Sequence, residues 1–339
     1  MNSRFPDEVR RRVQTPYKRG EFVIGPSYVP GEFNSHAVDC PFVFVKDGKA
    51  GMTFVGWDGV GYQTGISWLH SDGSWGEQAL IFGRDPSSRY RRYNSALTSI
   101  LRDNDLTGSG ELLKIDGYYY GTYHSYPSAG YENGSAVIGV VRSKDLYEWE
   151  EYGDVLRPED GSPWERGGLY KSWLLKHDDK YWIFYNAKDL PRGSWREQTG
   201  AVVSTDFTHW ERVADHPLIV NGPEGSMDER FASDPCIMKY GDYWILFYFG
   251  LATDGHARET YAVSKDLISW TKSGELLVDV GPEGAIDSQH AHKPTVIYRD
   301  RRLEHYYCAV SAMQPVDIAG YAQRERRGIS VAVSDRDDE

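Results

Sequence analysis

Five stretches of this chain share one arrangement of apolar and polar positions. Each has a short apolar run, a polar turn, and a second apolar run rich in aromatic residues. They align without gaps at sixteen residues each, at 41–56, 110–125, 172–187, 235–250 and 294–309. Asp-Gly, Gly-Asp or Asp-Asp pairs mark four of the turns, and such pairs between apolar runs indicate β-hairpins. The pattern therefore predicts five hairpins.

A second repeat follows three of these hairpins. Segments 143–149, 204–210 and 264–270 read SKDLYEW, STDFTHW and SKDLISW, and a shortened copy, SDGSW, lies at 71–75. The tryptophans that end the three full copies are 61 and 60 residues apart. A fixed period of this size indicates a repeat architecture. We expect Ser and Asp to hydrogen-bond within their own turns and Trp to pack between the repeats.

Together the repeats predict an all-β chain. Each unit is interpreted as strand, tight turn, strand, loop, strand, S-x-D turn and strand, which is a four-stranded antiparallel blade. Five such blades around a central funnel form a five-bladed β-propeller. We expect an N-terminal arm at 1–32, a single propeller catalytic domain at 33–339, and no helix longer than a turn or two.

Composition narrows the possible partners and the compartment. The formal charge of −12 argues against nucleic acid, whose phosphates need a basic face. The mean hydropathy is −0.58 and no apolar run reaches membrane-spanning length, so no membrane partner is expected. The N-terminus lacks the apolar region of a secretory signal, and three cysteines are too few for a disulfide framework. These features predict a cytoplasmic protein, with a homo-oligomer left open.

The repeated turn and one hairpin resemble a known superfamily. The S-x-D-L-x-x-W turn, and the motif D-P-x-x-x-x-x-G-D-x-W-x-x-F-Y at 234–248, resemble those of the five-bladed β-propeller glycoside hydrolases, which include families 32, 43, 62, 68, 117 and 130. The run H-x-H-K-P at 290–294 is most similar to families 43 and 117. The resemblance implies an exo-acting, inverting glycosidase that cleaves a small oligosaccharide or glycoside by carboxylate acid/base catalysis.

The resemblance also implies where the catalytic carboxyls lie. In these families the innermost strand of each blade begins at the funnel, and acidic residues from different blades act together. Ionisable residues stand just before every predicted inner strand here. The implied catalytic residues are Asp39 as base or nucleophile, Asp103 as stabiliser, Glu165 as general acid, and Asp234 as base, pKa tuner or sugar ligand. The alternative for each is a structural role in a turn.

Two departures from the family pattern leave roles open. Asn104-Asp105 follows Asp103 where families 32 and 68 carry proline, so that either aspartate fits the stabiliser role. In the third hairpin the gap-free alignment places Lys171, not an acid, at the position of Asp234. The choice of Glu165 as general acid rests on its being the nearest glutamate.

Several basic and polar residues share these positions. The predicted substrate-binding residues are His36, Arg102, Asp105, Lys171, His290, His292 and Lys293. Two lysines facing one funnel indicate an anionic group, such as a uronate carboxylate or inorganic phosphate. The alternative is that each lysine balances a neighbouring carboxylate. No cofactor is predicted, and no spacing demands a metal ion, although one in the funnel with His and water ligands stays open.

Two other functions fit the same pattern. In a family 130-like phosphorylase, phosphate would replace water and the lysines would hold it. In a non-catalytic glycan-binding propeller, aromatic residues would stack on sugars without an opposed pair of carboxyls. The chain is 14% aromatic, which suits both strands and sugar stacking.

Overall fold

The regular structure of the chain is almost entirely β. The computed structural model describes residues 6–189 and 195–335. Parts of the predicted arm (1–5) and of the predicted propeller domain (190–194 and 336–339) lie outside the described residues. One α-helix, α1 (Asp7–Arg12), and two 3-10 turns (Pro158–Asp160 and Pro163–Glu165) accompany the strands in the described part of the chain.

The strands pair in consecutive antiparallel meanders. The first meander has β2 (Ala37–Lys46), β3 (Lys49–Trp57), β4 (Tyr62–Trp68) and β5 (Ala79–Phe82). The second has β6 (Ala96–Ile100), β7 (Lys114–Ile115), β8 (Tyr118–Ser125), β9 (Val137–Ser143) and β10 (Glu150–Leu156). The third has β11 (Gly168–His177), β12 (Lys180–Lys188), β13 (Glu197–Ser204) and β14 (Glu211–Arg212).

The remaining strands continue the pattern. The fourth meander has β15 (Phe231–Tyr240), β16 (Tyr243–Leu251), β17 (Ala257–Ser264) and β18 (Thr271–Lys272). The last has β19 (His290–Arg299), β20 (Arg302–Ile318) and β21 (Tyr321–Val333). Its outer strand is β1 (Tyr17–Lys18), which comes from the N-terminus and pairs with β21. The prediction of an all-β chain is confirmed.

The predicted N-terminal arm packs against the sheets. Besides the β1–β21 pairing, Val9 and Val13 are fully buried within the main hydrophobic core. Ile24 continues the contact through a backbone bridge to Ile329. The boundary between arm and domain at residues 32 and 33 stays a prediction.

Hydrogen bonds join the meanders into three sheets of 12, 5 and 4 strands. In the 12-stranded sheet, single parallel bridges connect successive meanders: Glu197 pairs with Phe231, and Ala257 pairs with His290. Both bridges lie where a third strand and the next inner strand begin. That edge of the molecule therefore collects the first residues of the inner strands.

Each inner strand carries a β-bulge close to its start. The register shifts between Asp39 and Phe42 in β2, and at the matching places in β6, β11, β15 and β19. At three of these bulges a non-glycine residue has a left-handed φ: Cys40 at 47°, Asp234 at 58° and Lys293 at 63°. Such backbone costs about 1–3 kcal/mol per residue and concentrates at functional sites. The bulges re-aim these side chains at the edge of the sheets.

The S-x-D-x-x-x-W segments are structural turns, as predicted. In the copy at 143–149, the Ser143 hydroxyl accepts hydrogen bonds from the backbone N–H groups of Asp145 and Leu146. The Asp145 carboxylate accepts from the next two N–H groups, and the indole N–H of Trp149 donates to the Leu146 carbonyl at 2.8 Å. The copies at 204–210 and 264–270 repeat these bonds.

The second meander departs from the sequence prediction. The hairpin alignment began its inner strand near residue 110, but the inner strand is β6 (Ala96–Ile100), which pairs with β8. Residues 101–113 are inserted between β6 and β7. The prediction that Arg102 to Asp105 precede an inner strand is therefore wrong, because these residues follow the far end of β6.

The core lies between the meanders. Large side chains from the inner strands and their neighbours are almost completely buried, among them Phe42, Trp173, Phe184 and Phe247. Each contributes about 1.5–3 kcal/mol through removal of apolar surface from water. Cys40, Cys236 and Cys308 are buried and free. No helix in residues 6–189 or 195–335 has the length and apolar character to cross a membrane.

Candidate active site

A cavity of about 160 Å³ opens at the edge where the inner strands begin. Its charged lining residues are Glu132, Lys171, Lys188, Glu197, Asp234, Lys293 and Arg327. Its aromatic lining residues are Tyr62, Tyr126, Tyr131, Tyr170, Trp195, Phe231 and Phe249, with His124, His290 and His292 beside them. All five meanders contribute to this wall, and each contributes from the same end of its strands.

Asp39 lies just behind the cavity wall and anchors two of its cations. Its Oδ2 accepts hydrogen bonds from Lys293 Nζ at 2.8 Å and Arg327 Nη1 at 3.0 Å, while its Oδ1 accepts from the Cys40 N–H. Only 1% of Asp39 is exposed. Burial alone would raise the pKa of Asp39, but Lys293 and Arg327 hold it well below its usual range. Asp39 is therefore an ionised, fully occupied carboxylate.

Lys188 joins two carboxylates across the cavity. Its Nζ lies 3.2 Å from Glu132 Oε2 and 3.7 Å from Glu197 Oε1, so these two oxygens are within 6.9 Å of each other. The ammonium also lies over the rings of Tyr170 and Trp195, at 4.3 and 4.7 Å from their centroids. Burial alone would lower the pKa of Lys188, but Glu132 and Glu197 raise it above its usual value.

The two carboxylates differ in how fully they are hydrogen-bonded. Glu197 accepts bonds from Trp195 Nε1 at 3.0 Å, Ser233 Oγ at 2.8 Å and Asn186 Nδ2 at 3.2 Å, which occupy both of its oxygens. Glu132 accepts a bond from Lys188 alone, and 26% of its side chain is exposed. Burial would raise the pKa of Glu132, but Lys188 and Lys293 lower it. Glu132 is thus ionised with an oxygen open to the cavity.

Asp234 is the carboxyl with the opposite environment. It lines the cavity floor at the bulge of β15, with 4% of its surface exposed, and its Oδ2 has no hydrogen-bond partner among the described residues. Burial raises the pKa of Asp234 to about 7, against the lowering effect of Lys293 and Lys171. This group holds a proton near neutral pH, when ordinary aspartates do not.

Lys171 stands beside Asp234 without a carboxylate bonded to it. It occupies the bulge of β11, only 1% of it is exposed, and its Nζ has no hydrogen-bond partner in the described part of the chain. The other three cations of the cavity, Lys188, Lys293 and Arg327, each contact a carboxylate. One buried positive charge is therefore available to a ligand.

The three histidines of the wall are neutral at physiological pH. Burial lowers the pKa of His124 to about 3 and that of His290 to about 4, and it holds the pKa of His292 well below its usual value. His292 Nδ1 lies 3.1 Å from the Cys308 carbonyl oxygen. Neutral imidazoles of this kind can exchange hydrogen bonds with hydroxyl groups without adding charge.

Glu165 does not lie in the cavity, although the sequence pointed to it as the acid. It ends a 3-10 turn and is completely buried. Its carboxylate accepts hydrogen bonds from Tyr185 Oη at 2.5 Å, Arg212 Nε at 2.9 Å and the Ser162 N–H at 2.8 Å. These bonds tie the third meander's loop to its own strands, which is a structural role.

Arg102, Asp103 and Asp105 lie at the opposite end of the inner strands from the cavity. Asp103 accepts bonds from the Asp105 N–H and from Ser109, so that it shapes a surface turn. Asp105 is exposed. Their expected positions depended on the wrong start of the second inner strand. The structure therefore does not bring these two carboxyls to the other candidates.

Arg102 itself is buried between inner strands. Its guanidinium donates to the carbonyls of Val43 and Val296, and it lies over the rings of Phe42 and Trp173. Burial lowers the pKa of Arg102 to about 10. Arg102 closes the space between the strands from below and does not reach a ligand in the cavity.

His36 is also outside the cavity lining. Its Nε2 lies 3.1 Å from the Ile318 carbonyl oxygen, and its ring packs edge-on against Tyr321 at 5.1 Å. It therefore holds the first meander against the long β20–β21 hairpin. Of the predicted residues, the structure collects Lys171, Asp234, His290, His292 and Lys293 at the cavity, with Asp39 bonded to one of them.

Four charged cavity residues were absent from the sequence prediction: Glu132, Lys188, Glu197 and Arg327. All four lie where a second strand ends or a third strand begins. In an antiparallel meander those points share an edge with the start of the inner strand. The polar residues after the aromatic run IFYNA and before the run GAVVS were the available signal.

Among residues 6–189 and 195–335, no group of three or more His, Cys, Asp or Glu side chains is arranged to hold a metal ion. The chemistry that these residues support is that of two carboxyls with different proton affinities in one cavity. Neutral histidines, aromatic faces and one uncommitted ammonium surround them.

Comparison with known proteins gives the family context. The model of the glycosyl hydrolases family 32 N-terminal domain matches residues 104–286, which is more than half of the chain. A curated relative, sucrose-6-phosphate hydrolase from Pediococcus pentosaceus, is 28% identical over 197 residues. That match covers 57% of this chain and 37% of the relative, so the chain spans little more than a third of the relative's length.

Two solved structures are similar over nearly the whole chain. One, a complex of BT0996 with RGII, has a TM-score of 0.80 and 27% identity, and the match covers 98% of this chain and 95% of that one. The other, named "Glycoside hydrolase", has a TM-score of 0.79 and 27% identity, with 97% and 94% covered.

Proposed function

This protein belongs to the glycosyl hydrolases family 32 N-terminal domain family, a family of glycosidases, and from that membership we propose that it hydrolyses the terminal glycosidic bond of a small oligosaccharide or glycoside. One observation carries the proposal: Asp234 and Glu132 line the same cavity in opposite protonation states. Glycosidic cleavage requires such a pair, one carboxyl to give a proton and one carboxylate opposite it.

The roles follow from the two environments. Asp234, protonated near neutral pH, gives its proton to the leaving oxygen as the bond to the anomeric carbon breaks. Glu132, ionised and with a free oxygen, takes a proton from the water that attacks that carbon. Each turnover thus moves one proton to the departing alcohol and one to Glu132. Glu197 and the neutral histidines are placed to hold sugar hydroxyl groups.

The size of the cavity favours action at a chain end. Its volume of about 160 Å³ is below the roughly 300–1,000 Å³ of sites that enclose drug-sized ligands. A terminal sugar ring fits this description better than an internal segment of a glycan. Aromatic residues on the wall supply faces for that ring to stack on.

Inversion is the proposed stereochemical course, as the resemblance to families 43 and 117 implies. Glu132 stands at the partly exposed rim and Asp234 at the buried floor, which supports a separation that admits water between them. The proposal is decided by proton NMR of the first product, taken before the free sugar equilibrates. A retained anomer would make Glu132 a nucleophile that bonds to carbon.

The five-bladed propeller is part of the proposal. Arg102, from the second meander, contacts inner strands of the other four through Val43, Trp173, Met238 and Val296. The ion pairs of Asp39 with Lys293 and Arg327 connect the first meander to the last. These contacts support a radial arrangement around one axis. The cytoplasmic location stays a prediction from the sequence.

Lys171 favours a substrate with one negative charge. A buried ammonium without a carboxylate bonded to it binds a carboxylate or phosphate group strongly. The same observation supports the second candidate, a phosphorylase in which inorganic phosphate takes the place of water. Turnover that depends on phosphate would select the second candidate.

The experiment is a screen of terminal sugars. Aryl glycosides, anionic sugars including sucrose 6-phosphate, and RGII oligosaccharides are incubated with and without phosphate. We expect turnover without phosphate that is lost in Asp234→Asn and Glu132→Gln. Asp105→Asn, in an exposed turn remote from the cavity, is the control and keeps its activity. Full activity in both cavity variants would overturn the site assignment.

A further inference from the structure

A third acidic residue lies beneath the cavity floor and takes no part in the mechanism above. Glu259 is on β17, two residues after Ala257 of the cavity wall and opposite Phe249, another wall residue. It is completely buried. Neither oxygen of its carboxyl group has a hydrogen-bond partner among the described residues. A buried group of this kind is costly unless it has a function.

Other meanders show that the fold does not need an acid at this place. Thr199 occupies the same position of the third meander, since Thr199 and Glu259 exchange the same backbone bonds with the following loop. The Thr199 hydroxyl donates to the Ala232 carbonyl of the next inner strand at 2.9 Å. Thr64 makes the equivalent bond to Ser95 in the first meander, at 2.8 Å. Threonine thus satisfies the structural need.

The surroundings of Glu259 point to Asp234. Lys171 and Asp234 are the charged groups that interact with it from the inner strands of the third and fourth meanders. Cys236 and Tyr307 also face it, both without charge. Glu259, Lys171 and Asp234 each carry a buried polar atom without a partner. Two carboxyl groups and a single ammonium therefore meet below the cavity.

The remaining groups that face Asp234 are already committed elsewhere. Lys293 is bonded to Asp39, and Glu197 is bonded to Ser233, Asn186 and Trp195. Cys40 at the first bulge is uncharged, because burial raises the pKa of its thiol to about 12. The ammonium of Lys171 is thus the charge whose partner is still open.

We propose that Glu259 is a positioning residue for the acid: Glu259 and Asp234 compete for the one ammonium of Lys171, so that together they carry at most one negative charge while Asp234 keeps its proton. This rests on the proposed function in one respect, the role of Asp234 as the acid. Two carboxyl groups coupled in this way titrate as a pair. Removal of the competitor leaves Lys171 to Asp234 alone, which then ionises at lower pH.

The test compares wild type with Glu259→Gln and Glu259→Thr. The threonine variant restores the tether seen at Thr64 and Thr199, so it keeps the fold if glutamine does not. In both variants the alkaline limb of kcat/KM against pH is expected to move down by about one pH unit or more. A residue with a purely structural role changes the stability and leaves this limb in place.

A second readout does not depend on turnover. Infrared difference spectra across a pH titration follow the carbonyl band of protonated carboxyl groups in wild type, Glu259→Thr and Asp234→Asn. The band that is missing in Asp234→Asn is expected to titrate about one unit lower in Glu259→Thr than in wild type. An unchanged midpoint overturns the coupling, whether or not a glycan is hydrolysed. Absence of glycan turnover with a shifted midpoint instead rejects the proposed function and keeps the coupling.

Discussion

Asp39 and Arg327 are 288 positions apart in the chain, and Asp39 Oδ2 accepts a hydrogen bond of 3.0 Å from Arg327 Nη1. The same oxygen accepts from Lys293. Through this one carboxylate, the first inner strand holds two cations of the last meander at the cavity. We therefore propose Asp39 as the residue that positions Lys293 and Arg327, in place of the base or nucleophile that the family resemblance implied.

Asp39→Asn is expected to destabilise the protein by about 3–5 kcal/mol, because it leaves two buried cations without their counter-charge. Chemical denaturation at neutral pH measures this. Asp105→Asn, in an exposed turn, is the matched control and is expected to stay within about 0.5 kcal/mol of wild type. A loss of activity in Asp39→Asn without any loss of stability would return Asp39 to a direct catalytic role.

The stabilisation by Asp39 depends on pH in a defined direction. Its pKa is lowered in the folded state, so the stabilisation is present above the unfolded value of about 3.9 and is lost as pH falls below it. The difference in unfolding free energy between wild type and Asp39→Asn is expected to shrink below about pH 4. A difference that stays constant from pH 7 to pH 3 would contradict the ion pairs.

Glu165→Gln is expected to lower stability by about 1.5–3 kcal/mol and to leave kcat unchanged. The reason is that Glu165 bonds to Tyr185 and Arg212 away from the cavity. Thermal unfolding and steady-state kinetics on the same preparation separate the two effects. A fall in kcat with an unchanged melting temperature would support the sequence-based choice of Glu165 as the acid.

The fold was more accessible from the sequence than the site. Hairpin dipeptides and the S-x-D-x-x-x-W period depend on local backbone chemistry, and the turns at Ser143, Ser204 and Ser264 form as expected. The same register brought Lys171, Asp234 and Lys293 to comparable bulges. Local patterns therefore positioned three charged residues of the cavity correctly.

The rest depended on information that one strand does not carry. The insertion at 101–113 separates β6 from its hairpin, which moved Asp103 to the wrong end of the sheet in the prediction. Glu132 lies in a loop between β8 and β9, and only its contact with Lys188, 56 positions away, brings it to the cavity. Pairings of this range are set by the packing of whole meanders, which sequence periodicity does not describe.

Lys171→Met tests the charge of the substrate. If Lys171 binds an anionic group, KM is expected to rise about 10- to 150-fold, which corresponds to about 1.5–3 kcal/mol for a charged hydrogen bond. The comparison substrate is the same glycoside without its anionic group, for which KM should change little. Lys176→Met, exposed on the same strand, controls for the loss of one positive charge. An equal change for both substrates would contradict an anion at Lys171.

The most direct measurement follows the proton of Asp234. For Asp234→Asn, kcat/KM is measured on two glycosides of the same sugar, one with a poor leaving group and one with an activated aryl leaving group that needs no proton. A general acid predicts a loss of about 10²–10⁴-fold for the poor leaving group and little loss for the activated one. Equal losses for both leaving groups would contradict Asp234 as the acid, and with it the proposed division of roles between Asp234 and Glu132.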